Sequence, residues 1–143
     1  MKTALRLAIF SLLAAGCVDL NTPGTKVLTW QGTLVGSLSH PDLTGQVAAA
    51  AQGAGGTDVG IGIAGALPGA VHVWGVGSGS CAAPGTLIGT STDYPLLAVT
   101  DSGKASADTH LTTRFSADST YHGELRQSTS DTTRIACGNL QQL

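Results

Sequence analysis

Residues 58–64 read DVGIGIA, and this stretch decides the class of the fold. A β-branched residue stands at every second position, at Val59, Ile61 and Ile63, with small or polar residues between them. Because side chains alternate between the two faces of a strand, these three residues point to one side, where they form part of a core. The stretch therefore predicts a half-buried β-strand.

The same stretch contains a G-x-G-x-x-G pattern, at Gly60, Gly62 and Gly65. A dinucleotide site needs these glycines after a strand and at the start of a helix. Here they lie inside the strand pattern and lead into residues 67–69, Leu-Pro-Gly, which indicate a turn. We therefore interpret the glycines as strand and turn residues.

Outward from this stretch, short strand patterns alternate with turn signals. Strands are predicted at 26–36, 46–52, 70–74, 86–89, 94–99, 105–115, 120–127 and 133–137, with a glycine-rich turn at 75–81. The alanines of 46–52 also allow a short helix, but the flanking glycines favour a strand. Many short strands with regular turn signals are typical of a β-sandwich or barrel. We predict one all-β domain over residues 27–143.

The first 17 residues have the pattern of an export signal that ends in a cysteine. Residues 1–6 are short and basic, and residues 7–15 form an apolar run that is too short to span a membrane. Small residues follow, as at the cleavage site of a signal peptide. Residues 13–17 resemble the bacterial lipobox, although Ala14 stands where that motif usually has leucine. Ordinary secretion is the alternative.

The lipobox resemblance implies a lipoprotein with a signal peptide at 1–16, a lipidated Cys17 and a tether at 17–26. One acyl chain gives only marginal membrane binding, but lipoproteins carry several on this cysteine. An aspartate directly after the lipidated cysteine would resemble an inner-membrane retention signal. Position 18 is valine instead, which favours the outer membrane of the bacterial envelope. We expect two partners, membrane lipid through Cys17 and an unidentified envelope partner.

Composition excludes two other classes of protein. Without residues 1–16 the chain keeps five basic and nine acidic residues, a formal charge of −4, so nucleic acid is not expected as a partner. Charged residues make up 11% of the chain and hydrophobic residues 42%, which argues against disorder.

Cys81 and Cys137 remain once Cys17 is assigned to lipid. An even pair of cysteines in an oxidising compartment favours a disulfide, and two free thiols or a metal site are the alternatives. Closing the loop between them would contribute roughly 4 kcal/mol on chain-entropy grounds.

Three segments, in order, resemble the copper/zinc superoxide dismutase superfamily: 67–74 (LPGAVHVW), 79–81 (GSC) and 134–138 (RIACG). In that family a histidine-bearing strand leads to a cysteine, which pairs with a cysteine in an R-x-A-C-G segment near the end. The resemblance covers roughly residues 27–142. It implies a Greek-key β-sandwich or barrel with a Cys81–Cys137 disulfide.

The resemblance is incomplete at the metal ligands. The family's copper site begins with an H-x-H pair, but His72 is followed by Trp74, whose indole cannot ligate. Residues 73–109, where the bridging histidine and the zinc ligands should lie, contain no histidine. His122 matches the family's late copper histidine, and Arg134 matches its anion-guiding arginine.

We therefore predict a domain with no catalytic residues and no cofactor, which binds a partner or has a structural role. The alternative is a divergent copper or zinc protein, with His72 and His122 as candidate ligands and His110 as a third. An unrelated immunoglobulin-like sandwich is a further alternative. Glu124 is the only glutamate, which excludes acid/base chemistry by paired glutamates.

Overall fold

The computed structural model describes residues 27–53 and 55–143. The predicted signal peptide at 1–16, the lipidated Cys17 and the tether at 17–26 lie outside these residues. The described part forms nine strands and one short 3-10 turn. The strands are β1 Leu28–Gly36, β2 Thr44–Ala51, β3 Thr57–Ala64, β4 Val71–Gly79, β5 Pro84–Leu87, β6 Leu97–Ala98, β7 Ala105–Leu111, β8 Tyr121–Arg126 and β9 Arg134–Gln142, and the turn is Ser91–Asp93.

The strands form one curled antiparallel sheet, in the order β5-β4-β8-β9-β1-β2-β3-β7. The two-residue strand β6 pairs with β4 and also contacts β7. The two ends of the strand order therefore approach each other, and the sheet curls around a single core. The predicted all-β class with one disulfide is confirmed.

The core lies inside the curl and follows the alternation of β3. Val59, Ile61 and Ile63 are all buried, as the pattern of residues 58–64 predicts. Trp30 packs edge-on against Phe115 and Tyr121, with ring centroids 5.6 and 5.8 Å away. Burying one large apolar side chain contributes about 1.5–3 kcal/mol, so this cluster is a main source of stability.

The glycine-rich turn predicted at 75–81 is wrong for most of its length, because strand β4 continues to Gly79. Gly75 and Gly77 serve close packing instead of a turn. A Cβ atom on Gly77 would lie 2.6 Å from Cε1 of His122, and one on Gly75 would lie 2.5 Å from Cδ1 of Leu87. Glycine within a strand often marks such a close approach.

Several other boundaries also differ from prediction. The strand predicted at 105–115 ends at Leu111, and the one predicted at 94–99 is reduced to β6. β9 continues past Cys137 to Gln142, because Leu140 faces the core and Gln142 pairs with Trp30. The helix alternative for 46–52 is wrong, since these residues belong mainly to β2.

The curled sheet has two poles. At the pole that we call terminal, Leu28 pairs with Ala51, and the Leu143 amide donates to the Thr29 carbonyl at 3.0 Å. The opposite, distal pole carries the connections at 37–43, 65–70, 99–104 and 127–133. Among residues 27–53 and 55–143, no helix is long and apolar enough to cross a membrane.

Candidate functional site

The disulfide joins Cys81 to Cys137, with a Cα–Cα distance of 5.9 Å. Two side chains hold the main chain beside it. Oδ1 of Asn139 accepts from the Cys81 amide at 2.7 Å, and Nη2 of Arg134 donates to the Cys81 carbonyl at 3.0 Å. The segment after β4 is thus fixed to β9 by one covalent bond and two hydrogen bonds, and Arg134 takes part in this attachment.

His72 lies on the core-facing side of β4, beside Trp74, and is only 4% exposed. Its Nδ1 lies 2.9 Å from the carbonyl oxygen of Gln127. A carbonyl oxygen only accepts, so Nδ1 carries the hydrogen and Nε2 of the neutral ring is an acceptor. Nε1 of Trp74 donates to the Pro95 carbonyl at 2.7 Å, so its indole is a packed core side chain.

His122 lies on β8 opposite Gly77 and is 1% exposed. The imidazole packs against Gly77, and its Nδ1 is enclosed without a hydrogen-bond partner among the described residues. Nε2 lies 3.9 Å from Oε2 of Glu124, which is too far for a hydrogen bond.

The structure does not bring His72 and His122 together. His122 pairs with Gly77, five positions after His72 on β4, and at the rise of a strand this is about 16 Å. An odd number of positions also places the two imidazoles on opposite faces of the sheet.

His110 lies on β7, at the other end of the strand order. In the described part of the chain, no three or more His, Cys, Asp or Glu residues are grouped so as to hold a metal ion. These residues therefore do not fit the copper or zinc site that the family resemblance implies.

Glu124 and Arg126 form an ion pair that the sequence analysis did not identify. Nη2 and Nε of Arg126 lie 2.5 and 2.8 Å from Oε1 of Glu124, which is 8% exposed. With His122 they occupy every second position of β8 and so share one face of the strand. The available signal was the only glutamate of the chain, two residues before an arginine within a strand pattern.

His110 forms an exposed pair with Asp58 near the terminal pole. Its Nδ1 lies 2.7 Å from Oδ1 of Asp58, and Nε2 of Gln52 donates to Oδ2 at 2.7 Å. The hydrogen bond to Asp58 raises the pKa of His110, while the hydrogen bonds from His110 and Gln52 lower the pKa of Asp58. The pair connects β7 to β3 and, through Gln52, to the end of β2.

A cleft of about 390 Å³ opens at the distal pole, between the connections 37–43 and 65–70. We call it the distal cleft. Its walls are largely apolar, with Pro41, Leu43, Leu67, Pro68 and Ile135. The polar residues that also line it are Ser39, His40, Asp42, His72 and Gln127. No motif in the sequence indicated this cleft, because its walls come from segments far apart in the chain.

Comparison with known proteins identifies no relative of this chain. No protein-family model matches the chain, and neither the search of curated proteins nor the search of solved structures finds a match.

Proposed function

We propose that the chain is a lipid-anchored protein of the bacterial envelope, with a non-catalytic β-domain that binds a partner or has a structural role. The observation that carries the proposal is the Cys81–Cys137 disulfide. Disulfides persist in oxidising compartments such as the periplasm, in keeping with export. The bond also uses two of the three cysteines, and the third, Cys17, is separated from the short apolar run only by Gly16.

The position of Val27 fits such an anchor. Val27 precedes β1 at the terminal pole, so the ten residues 17–26 would join the domain at that end. Ten extended residues reach at most about 35 Å, which keeps the domain near the membrane. We propose that the lipid belongs to the outer membrane. In this arrangement the distal pole faces away from that membrane.

The finer fold in this proposal is the Greek-key sandwich of the copper/zinc superoxide dismutase superfamily. Three observations support it. The disulfide joins the two cysteines that the resemblance pairs, and Arg134 contacts the Cys81 carbonyl. β3 and β4 are consecutive in the chain but have β8, β9, β1 and β2 between them, a crossover of the kind that Greek-key folds contain.

A non-catalytic role is supported by what the polar side chains already do. His72 and His122 lie on opposite faces, Trp74 is packed in the core, and Glu124 is paired with Arg126.

The enclosed, unpartnered Nδ1 of His122 is the one observation that favours the metal-binding alternative. The full-length chain should therefore be exposed to copper and zinc, dialysed and analysed for metal. We expect none to be retained, whereas stoichiometric metal that is lost in His122→Gln would support the alternative.

The anchor is tested by fractionating cells that express the full-length chain. We expect wild type in the membrane fraction and Cys17→Ala in the soluble fraction, because only the former can be lipidated. The matched control is Cys81→Ala/Cys137→Ala, which removes the other two cysteines and should remain in the membrane fraction. Recovery of wild type in the soluble fraction would contradict the proposal.

A further inference from the structure

The distal cleft combines apolar walls with a few polar side chains, among them Asp42, His72 and Gln127. His72 lines it, and Nδ1 of that ring is already bonded to the Gln127 carbonyl. Nε2 of His72 has no hydrogen-bond partner among the described residues. It is not fully enclosed either, because Nδ1 of His122 is the only enclosed side-chain polar atom without a partner in the described part of the chain. Nε2 is therefore an unused acceptor on a ring that lines the cleft.

The environment of this acceptor restricts the ligand. Asp42 lines the cleft and none of the described lining residues is Lys or Arg, so the cleft disfavours a carboxylate or phosphate. A volume of about 390 Å³ lies within the range of small-molecule sites. Such sites combine apolar walls with few polar groups that fix the orientation of the ligand.

We propose that the distal cleft binds a small, mostly apolar molecule carrying one N–H or O–H group, which donates to Nε2 of His72. The proposal rests on the binding role proposed above and gives that role a site and a ligand class. It does not depend on Cys17, so the fractionation experiment and a binding experiment can fail independently.

A matched pair of probes tests the hydrogen bond. Indole has an apolar ring with one N–H donor, and 1-methylindole has the same ring without the donor. Binding to the purified full-length chain is followed by NMR, on the imidazole resonances of His72 and the methyl resonances of Ile135. We expect saturable shifts with both probes and an affinity about fivefold higher for indole, the effect of one net hydrogen bond.

Three variants distinguish the contribution of the His72 acceptor to probe affinity from that of the apolar walls. His72→Phe keeps a ring but removes the acceptor, so both probes should bind equally, as followed on Ile135. Leu67→Ser changes a wall residue that is 77% exposed, so the fold is retained. This variant should weaken both probes about threefold and preserve their ratio. His110→Phe, near the terminal pole, is the control and should change neither affinity.

Absence of saturable shifts up to the solubility of the probes would overturn the proposal. Equal affinities for the two probes in wild type would also overturn it, because His72 would then not act as the acceptor. Both outcomes are read on wild type, so the test stands even if His72→Phe fails to fold.

Discussion

Gly77 on β4 shows how a residue on one strand determines which side chain fits at the paired position of the next strand. The imidazole of His122 occupies the space that any larger residue at position 77 would need. Gly62 on β3 is the opposite case, because a Cβ atom there would meet nothing within 4 Å. The two glycines look alike in the sequence, but only at position 77 does a neighbouring side chain require glycine.

We predict that Gly77→Ala lowers the free energy of unfolding by about 1–3 kcal/mol, the usual cost of forcing extra atoms into a packed site. Gly62→Ala is the matched control and should be neutral or stabilising by up to about 1 kcal/mol, because it restricts only the unfolded chain. Urea denaturation of both variants measures the difference. Equal stability of the two variants would show that His122 does not pack on Gly77.

At the same scale, the exposed pair of His110 and Asp58 predicts a pH dependence. The pKa of His110 is raised above its ordinary value of 6.5, so its contribution to stability is complete below pH 6.5 and is lost as the pH rises through the raised pKa. The pKa of Asp58 is lowered from 3.8, so its contribution is lost only as the pH falls through that lower value.

NMR titration of the His110 ring tests this prediction. Its pKa should lie above that of the same ring in the chain unfolded in urea, and Asp58→Asn should remove the difference. A ring that titrates identically in the folded and unfolded chain would mean that the pair does not form in solution.

At the scale of the elements, β3 and β8 are both predicted as strands, but only in β3 does the sequence also predict which side chains are buried. β3 has one face in the core, so its apolar residues alternate and the strand is evident from the sequence. In β8 the residues from Tyr121 to Leu125 are all buried, so polar and apolar side chains are buried side by side. The sequence therefore predicts the strand at 120–127 but does not predict that its polar face, with His122 and Glu124, is covered.

The same reasoning explains the candidate site. The family resemblance made His72 and His122 candidate metal ligands in the alternative function, but a resemblance in sequence does not reveal which face of a strand is covered. That is decided by packing between segments far apart in the chain, such as Gly77 on β4 against His122 on β8. The disulfide was predictable because it requires only a count of cysteines and an oxidising compartment.

The Glu124–Arg126 ion pair is the main electrostatic feature of β8. Removing one partner leaves the other charge without compensation at a largely buried position. We predict that Glu124→Ala lowers the free energy of unfolding by about 2 kcal/mol, below the value for a fully buried pair, because the Arg126 side chain stays 39% exposed.

The double variant Glu124→Leu/Arg126→Leu provides the control. It should recover much of the lost stability, because apolar residues often replace such pairs at little cost. Denaturation of the single and double variants forms the experiment. A double variant at least as unstable as Glu124→Ala would show that the loss does not come from an uncompensated charge on Arg126.

For the whole molecule, the two poles of the sheet separate two proposed roles. The terminal pole receives the chain from the proposed anchor and carries Leu143 and the His110–Asp58 pair. The distal pole carries the cleft with His72, at the far end of the strands. An anchored domain of this kind would present its binding site away from the membrane surface.

The central claim, that the chain is exported and lipidated at Cys17, is tested most directly by intact-mass spectrometry of the protein from the bacterial membrane fraction. We predict a chain that lacks residues 1–16, begins at Cys17 and carries acyl chains on that residue, with the Cys81–Cys137 disulfide intact. An unmodified chain, whether it keeps residues 1–16 or begins at another residue, would contradict the account.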